Sequence, residues 1–236
     1  MQEKEIISRD VRDKILQVYA KIDPDGGSWN PSQSDRELQH RQFLMFNLGQ
    51  AIRMIKTPLH DIHALDVGCG TGRSARLLIE FGVPPTNIFA VDIRQHAIDY
   101  AFKLNPAINY SIVNSFSDLQ FLGTFNWIQQ CTVFSSIPGR KARVGLAEAI
   151  TDTLSSKGYV FWWDLLKAND WAGGDDLMPV DYFPHLQILW QEKVPLMQKP
   201  SHAIRLGPLR RFLGPLIDLM LTRTPSHLVS LLVKKE

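Results

Sequence analysis

The sequence predicts an α/β fold in which helices cover a parallel sheet. Between residues 64 and 163, short β-rich runs alternate with helical stretches, the pattern that produces such a sheet. A glycine-rich run directly follows the first predicted strand and opens the first helix of the core. No repeat, low-complexity tract or linker divides the chain, and 236 residues suit one large domain with additions. We therefore expect a single domain over residues 1–236.

Two helices are predicted ahead of this core. Residues 1–20 carry apolar side chains at helical spacing, and turn-forming residues then break the pattern from Asp23. From Ser32 to about Lys56, apolar residues form one broad helical face. Residues 1–56 are therefore expected to be a helical addition to the sheet.

The core is predicted to contain five strands separated by helices and loops. The strands are expected at Ala64–Val67, Asn87–Val91, Ile108–Val113, Phe125–Gln130 and Tyr159–Trp163. The helices are expected at Ser74–Phe81, Arg94–Leu104 and Lys141–Leu154. Every strand contains the β-branched or aromatic residues that fit a pleated, buried surface.

The pattern loosens after Asp164, where Gly, Asp, Asn and Pro are mixed through residues 168–184. A sixth strand is expected at His185–Leu196 and a last strand at His227–Val233. Between them, residues 203–225 combine helical leucine spacing with several arginines and two prolines. This basic amphipathic segment differs from the rest of the chain.

The composition narrows the class of protein. The apolar fraction of 44% and the charged fraction of 21% are ordinary for a globular domain, and a net charge of +2 gives no support for nucleic-acid binding. The first residues lead into no apolar signal segment, and no apolar run approaches the ~18 residues that span a bilayer, so a cytoplasmic location is expected. Cys69 and Cys131 lack metal-ligand spacing, and we predict neither a metal site nor a disulfide.

The strongest local signal is the run Asp66-Val-Gly-Cys-Gly-Thr-Gly-Arg73. Glycine permits positive φ and a close approach of the backbone to a ligand, and the turn lies where open α/β sheets bind ligands. Asp92 follows twenty residues after Gly72, at the end of the second strand, where an acidic side chain can accept hydrogen bonds from ribose hydroxyls. An adenosine-type ligand is therefore predicted.

Two cofactors compete for this site, a dinucleotide and S-adenosylmethionine. The dinucleotide fingerprint has its third glycine at the position of Arg73 and does not require an acid at Asp66. S-adenosylmethionine has no pyrophosphate, and its ammonium group can be held by a carboxylate near the motif. S-adenosylmethionine therefore fits better, a choice that rests in part on the family resemblance described next.

The same residues resemble the first motif of class I S-adenosylmethionine-dependent methyltransferases, which have a Rossmann-like, doubly wound sheet. The resemblance covers most of the chain, through the spacing to Asp92, Asn114-Ser115-Phe116 and the fourth and fifth strands. It implies about seven strands, an antiparallel last strand and helices on both faces. The runs 130–137 and 161–164 are similar to those of bacterial methyltransferases found among genes for surface-glycan biosynthesis.

The resemblance also implies roles for individual residues. The turn, with Asp66, Gly68, Cys69, Gly70 and Gly72, would hold the methionine part, and Asp92 the ribose. Adenine would contact the side chains of Ile93, Asn114, Ser115 and Phe116. Relatives often have Asp in place of Ser115, so Asn114 is an alternative partner for the adenine amino group. Gln130 would line the methyl-donor centre, although for Ile93 and Phe116 plain core packing is equally compatible with the sequence.

Methyl transfer requires an acceptor held in line with the methyl group and, for a hydroxyl acceptor, a base. Asp164 is the preferred base because it ends the fifth strand after two aromatic residues that raise its pKa by desolvation; the alternative is a helix cap or loop acceptor. His202 and His185 are further candidates, each more typical of a surface histidine. Arg41 is a candidate for the cofactor carboxylate, with a solvated charge as the alternative.

These observations predict transfer of a methyl group from S-adenosylmethionine, with S-adenosylhomocysteine as product, to a small-molecule acceptor such as a sugar or glycan precursor. The alternatives are a non-catalytic S-adenosylmethionine-binding regulatory protein and an NAD-dependent oxidoreductase. Residues 197–225 are expected to form a helical lid for a glycan or lipid-linked acceptor, a peripheral membrane contact, or a helix packed on the core. The sequence leaves the oligomeric state open.

Overall fold

The computed structural model describes residues 2–20, 35–195 and 225–234. The helices are α1 Gln2–Tyr19, α2 Asp35–Met54, α3 Arg73–Phe81, α4 Gln95–Leu104 and α5 Arg140–Thr153. The strands are β1 Ala64–Val67, β2 Ile88–Asp92, β3 Asn109–Ile112, β4 Phe125–Cys131, β5 Leu154–Leu165, β6 Leu186–Val194 and β7 His227–Lys234. Each predicted core element is present.

The strands form one seven-stranded sheet in the order β3-β2-β1-β4-β5-β7-β6. The pairs β1–β2, β2–β3, β1–β4 and β4–β5 are parallel, whereas β7 is antiparallel to both β5 and β6. This order confirms the predicted α/β fold, a Rossmann-like sheet that is mostly parallel with an antiparallel last strand.

Helices cover both faces of the sheet because strand side chains alternate between two apolar layers. In one layer, α1 and α5 pack with Leu65, Ile128 and Trp162. In the other, α2, α3 and α4 pack with Trp127 and Phe161. The strands near the centre are therefore buried on both sides, as parallel strands in such folds are.

The main difference from the prediction is the length of β5. This strand begins at Leu154, directly after α5, rather than at Tyr159. Leu154 pairs with Phe125, and the register then shifts before Trp127 pairs with Tyr159. Because residues 155–157 are polar and residue 158 is glycine, the apolar pattern alone does not predict this first part of β5.

The segment predicted as a lid, 197–225, and the candidate base His202 lie outside the described residues apart from Pro225. Its flanking strands are described: Val194 of β6 pairs with His227 of β7, next to Leu165 at the end of β5. None of the described helices is long and apolar enough to cross a bilayer.

Candidate active site

A cleft of about 230 Å³ lies at the carboxyl ends of β1, β2 and β4, the edge at which open α/β sheets bind ligands. Ile15 of α1 and Leu44 of α2 line it from outside the sheet. The predicted cofactor residues that line it are Gly68, Cys69, Gly70, Asp92, Ile93, Asn114, Ser115 and Phe116. The remaining predicted residues, Asp66, Gly72, Gln130 and Asp164, lie outside its lining.

The turn after β1 depends on glycine at three alternate positions. Gly68, Gly70 and Gly72 have φ angles of +67°, +56° and +72°, a region that L side chains rarely adopt. A Cβ at position 68 would also lie 2.5 Å from Cγ2 of Val133, and one at position 72 would lie 2.6 Å from the Tyr110 hydroxyl. Gly72 therefore serves the tight entry into α3 rather than the cleft wall.

Asp92 is buried at the end of β2 and connects this strand to the glycine turn. Its Oδ2 accepts a 2.8 Å hydrogen bond from the Gly70 N–H, and its Oδ1 accepts one of 2.9 Å from the Arg94 N–H. The Arg94 guanidinium adds two more, Nε to Oδ1 at 2.9 Å and Nη2 to Oδ2 at 3.1 Å. The predicted ribose acceptor thus lies in the cleft with an internal cationic partner.

Arg94 also connects Asp92 to the N-terminal helix. Its guanidinium lies over the Tyr19 ring, 4.7 Å from the ring centroid. The Tyr19 hydroxyl is 2.9 Å from the Ser136 hydroxyl, in the loop after β4. Tyr19 therefore bridges the β2 and β4 sides of the cleft, and Tyr19, Arg94 and Ser136 all line it.

Asp66 does not enter the cleft, although the sequence predicts a carboxylate there for the cofactor ammonium. In the register of β1 and β2, Asp66 pairs with Ala90, two residues before Asp92. Asp66 therefore lies farther than Asp92 from the carboxyl ends of the strands. It is fully buried and accepts a 2.6 Å hydrogen bond from the Ser74 hydroxyl. Burial raises the pKa of Asp66 to about 7, against the opposing effect of hydrogen bonds from Ser74 and Gln129. Asp66 therefore joins β1 to α3.

The residues predicted to meet adenine form a capped turn after β3. Ser115 is the N-cap of a 3₁₀ helix, Phe116–Leu122, and its hydroxyl donates a 2.7 Å hydrogen bond to Asp118. The backbone N–H groups of Asn114 and Ser115 donate to the same carboxylate, at 2.6 and 3.0 Å. Desolvation opposes the charge, yet these hydrogen bonds lower the pKa of Asp118. The cap holds the Asn114–Phe116 segment at the cleft.

The end of β4 differs from the prediction at Gln130. This side chain is fully buried, and its Oε1 accepts a 3.1 Å hydrogen bond from the Val133 N–H. It therefore supports the following loop rather than lining the methyl-donor centre. Cys131 and Thr132 line the cleft instead, and Thr132 has a φ of +61°. Positive φ is rare for a β-branched residue and occurs where the surrounding structure imposes it.

Asp164 holds the same loop from the β5 side. It is fully buried, and its carboxylate accepts hydrogen bonds from the N–H groups of Phe134 at 2.8 Å, Ser135 at 3.3 Å and Leu165 at 2.8 Å. Burial raises its pKa to about 6, in the expected direction. The prediction of a catalytic base is not supported by this geometry, because both oxygens already accept N–H groups outside the cleft lining. The loop-acceptor alternative matches the contacts.

Helix α2 brings charged groups to the other end of the cleft. Glu37 forms an ion pair with Arg73, which directly follows the glycine turn. His40 accepts a 2.8 Å hydrogen bond at Nε2 from the Trp163 indole, so in this arrangement its ring proton is on Nδ1. Arg41 lines the cleft, as predicted for a ligand of the cofactor carboxylate, but it pairs at 3.4 Å with Glu80 on α3.

The cleft therefore contains residues to which the sequence analysis assigned no role. Arg73 directly follows Gly72, and Arg94 lies two residues after Asp92. A basic residue so close to a predicted cofactor residue is the sequence signal that could have identified them. Tyr19 and Glu37 had no local signal, because α1 and α2 reach the cleft only through tertiary packing. His185, a candidate base, is exposed and lies outside the lining. No group of metal-binding residues occurs among the described side chains.

Comparison with known proteins adds to this geometry. Residues 64–158, from β1 into β5, match a family model described as a methyltransferase domain. Among curated proteins, none matches the sequence.

Solved structures share the fold at low sequence identity. NodS, an N-methyltransferase from Bradyrhizobium japonicum in complex with S-adenosyl-L-homocysteine, has a TM-score of 0.62 at 11% identity, over 97% of this chain and 99% of that chain. A TehB-like SAM-dependent methyltransferase from Corynebacterium glutamicum has a TM-score of 0.53 at 19% identity, over 87% and 100%. TehB from Haemophilus influenzae has a TM-score of 0.58 at 14% identity; the match covers 80% of this chain but only 62% of that chain.

The domain match includes the glycine turn, Asp92 and the capped turn at Ser115, which line the sheet side of the cleft. It confirms the predictions of an enzyme and of its methyl donor. The chain therefore carries a methyltransferase domain at residues 64–158, on a Rossmann-like sheet.

Proposed function

We propose that this chain transfers a methyl group from S-adenosylmethionine to a hydroxyl group of a small sugar or glycan precursor. The observation that carries the cofactor half of this proposal is the joint placement of the glycine turn and Asp92 on one cleft. The hydroxyl groups of Tyr19 and Ser136 on the same cleft support the acceptor half.

The residues of the cleft fit the cofactor. The turn lines the cleft from Gly68 to Thr71 in a backbone conformation that the glycines permit, and Asp92 offers a buried carboxylate for a ribose diol. Ile93 and Phe116 offer apolar surface for adenine, and Asn114 and Ser115 lie at its expected edge. For the methionine part of the cofactor, Glu37 provides a carboxylate that can bind the ammonium group, and Arg73 provides a guanidinium that can bind the carboxylate. When bound, the cofactor supplies an already electrophilic methyl carbon.

The chain's own contribution is then to bind, orient and exclude water. Val11 and Ile15 of α1 form an apolar wall on the cleft, which keeps water from the reacting groups. Tyr19 and Ser136 orient an acceptor hydroxyl by hydrogen bonding, and proximity supplies much of the rate enhancement. Asp164 acts as a positioning residue, since it holds the loop that carries Thr132 and Ser136.

A two-part experiment tests this proposal. Calorimetry with S-adenosylhomocysteine and, separately, NADH should show binding of the first alone. Incubation with methyl-labelled S-adenosylmethionine and a panel of monosaccharides and nucleotide sugars should then yield a labelled ether, identified by mass spectrometry. Labelled amine or carbon products would exclude the hydroxyl acceptor. Binding without product from the panel or from cell extract would favour the non-catalytic regulatory alternative.

The lipid-linked acceptor and the membrane contact assigned to residues 197–225 remain a prediction from sequence. The same labelled assay with a polyprenyl-phosphate sugar in anionic vesicles addresses them. A labelled lipid fraction is the expected result, and label confined to water-soluble sugars would contradict it.

A further inference from the structure

We propose that Arg94 competes with the cofactor ribose for Asp92, so that cofactor binding exchanges one partner of this carboxylate for another. This inference rests on the proposed function, in which Asp92 receives the ribose hydroxyls. It assigns to Arg94 control over how tightly cofactor and product bind.

Asp92 already accepts four hydrogen bonds. An ionised carboxylate offers about four lone-pair sites, two on each oxygen. Oδ1 accepts the N–H and Nε–H groups of Arg94, and Oδ2 accepts the Gly70 N–H and Nη2–H of Arg94. All four sites are in use. A ribose diol must donate to the same two oxygens, so it has to displace donors that are already there.

The four donors to Asp92 differ in whether they can move away from it. The N–H groups of Gly70 and Arg94 belong to the backbone of the turn and of the segment that enters α4. Moving them would disturb the frame of the cleft. The guanidinium is at the end of a flexible side chain, and it alone can rotate away without backbone movement. The exchangeable partner of Asp92 is therefore the Arg94 side chain.

The contact between Arg94 and Asp92 is itself held in place. The side chains of Arg94 and Asp92 are only 17% and 5% exposed, so water screens the pair weakly. The Tyr19 ring lies against the guanidinium at 4.7 Å, on the side of α1. Hydrogen bonds between two charged groups are stronger than those from a neutral hydroxyl. The diol therefore replaces a strong contact, which lowers net affinity for every ligand that uses Asp92.

This exchange has a consequence for turnover. Product and cofactor carry the same ribose, so Arg94 weakens the binding of both. A returning guanidinium favours the departure of S-adenosylhomocysteine. Arg94 acts through Asp92 and is a positioning residue, not a catalytic one.

The test is the affinity of S-adenosylhomocysteine for Arg94→Met, measured by calorimetry on the full chain. Met keeps an unbranched stem but cannot donate to Asp92. We expect binding about fivefold to twentyfold tighter than in the wild type. Arg53→Met, an exposed arginine in the last turn of α2, is the matched control and should leave affinity unchanged.

A gain of affinity is informative because a substitution that merely damages the cleft weakens binding. Unchanged or weaker binding by a folded Arg94→Met protein overturns this inference. If the wild type itself fails to bind S-adenosylhomocysteine, the proposed function fails instead. In an Asp92→Asn background, the gain from Arg94→Met should disappear, since the carboxylate is no longer there to be shared.

Discussion

The Ser74 hydroxyl donates a 2.6 Å hydrogen bond to the Asp66 carboxylate, and both side chains are buried between β1 and α3. The pair explains why the acid of the glycine motif belongs to the core of the protein. It also makes the stability of the protein sensitive to pH.

Because of Asp66, the free energy of unfolding should fall as pH rises. Burial raises its pKa from 3.8 to about 7 in the folded state, so between about pH 4 and pH 7 the folded protein binds more protons than the unfolded chain. Stability from this group is therefore complete at low pH and lost as pH approaches 7, by at most about 4 kcal/mol. Asp66→Asn should flatten this decline in urea titrations across pH 4–8. The exposed Asp152→Asn is the control, and equal slopes in both variants would contradict the prediction.

Asp92→Ala should weaken binding of S-adenosylhomocysteine by about 1–3 kcal/mol, because a ribose loses hydrogen bonds to a charged acceptor. In this variant the ribose no longer has to displace the Arg94 guanidinium, and this limits the loss of affinity. Calorimetry provides the measurement, with circular dichroism to confirm folding. Wild-type affinity in a folded variant would remove Asp92 from the cofactor site.

Gly68→Ala should reduce both stability and cofactor binding. The new Cβ would lie 2.5 Å from Val133 Cγ2, at a φ of +67° that costs an L residue on the order of 1–3 kcal/mol. Thermal unfolding and calorimetry would report the two effects. Gly145→Ala in α5 is the control: it has ordinary contacts of 3.5 Å with Phe116, and alanine favours a helix. Similar behaviour of the two variants would show that the turn tolerates a side chain.

Asp164→Asn should destabilise the protein by about 1–3 kcal/mol, because an amide NH₂ group would face the N–H groups of Phe134 or Ser135 without an acceptor. Urea unfolding measures this loss against Asp176→Asn, an exposed residue paired with Lys167. A variant of unchanged stability that has lost methyl transfer would instead support the base predicted from the sequence.

Tyr19→Phe should lower kcat/KM for the acceptor about fivefold, through one lost hydrogen bond of about 1 kcal/mol. The phenyl ring still supports Arg94, so affinity for S-adenosylhomocysteine should stay near that of the wild type. A lower kcat/KM in steady-state kinetics, together with an unchanged affinity in calorimetry, would show that the hydroxyl acts on the acceptor. An equal change in both measurements would place its effect on the cofactor instead.

Local signals were sufficient for the position of most strands and for the turn. The strands from Ala64 to Val67 and from Phe125 onward follow from apolar runs, and the turn follows from glycines at 68, 70 and 72, because backbone conformation limits which residues fit there. The first part of β5 escaped the prediction, since Leu154 joins the sheet by pairing with Phe125 of β4 and the polar residues that follow it show no strand pattern of their own.

The sequence by itself determined the fold class, from the alternation of strands and helices along the chain, and the turn and the acid at Asp92, from residues within one βαβ unit. Only the tertiary structure decided which polar groups face the cleft. Register places Asp66 two residues deeper than Asp92, packing brings Tyr19 and Glu37 to the cleft from helices outside the sheet, and Asp164 turns to the loop after β4. The physical reason is that burial and hydrogen-bond partners arise between segments distant in sequence, and they decide whether a carboxylate supports the fold or faces a ligand.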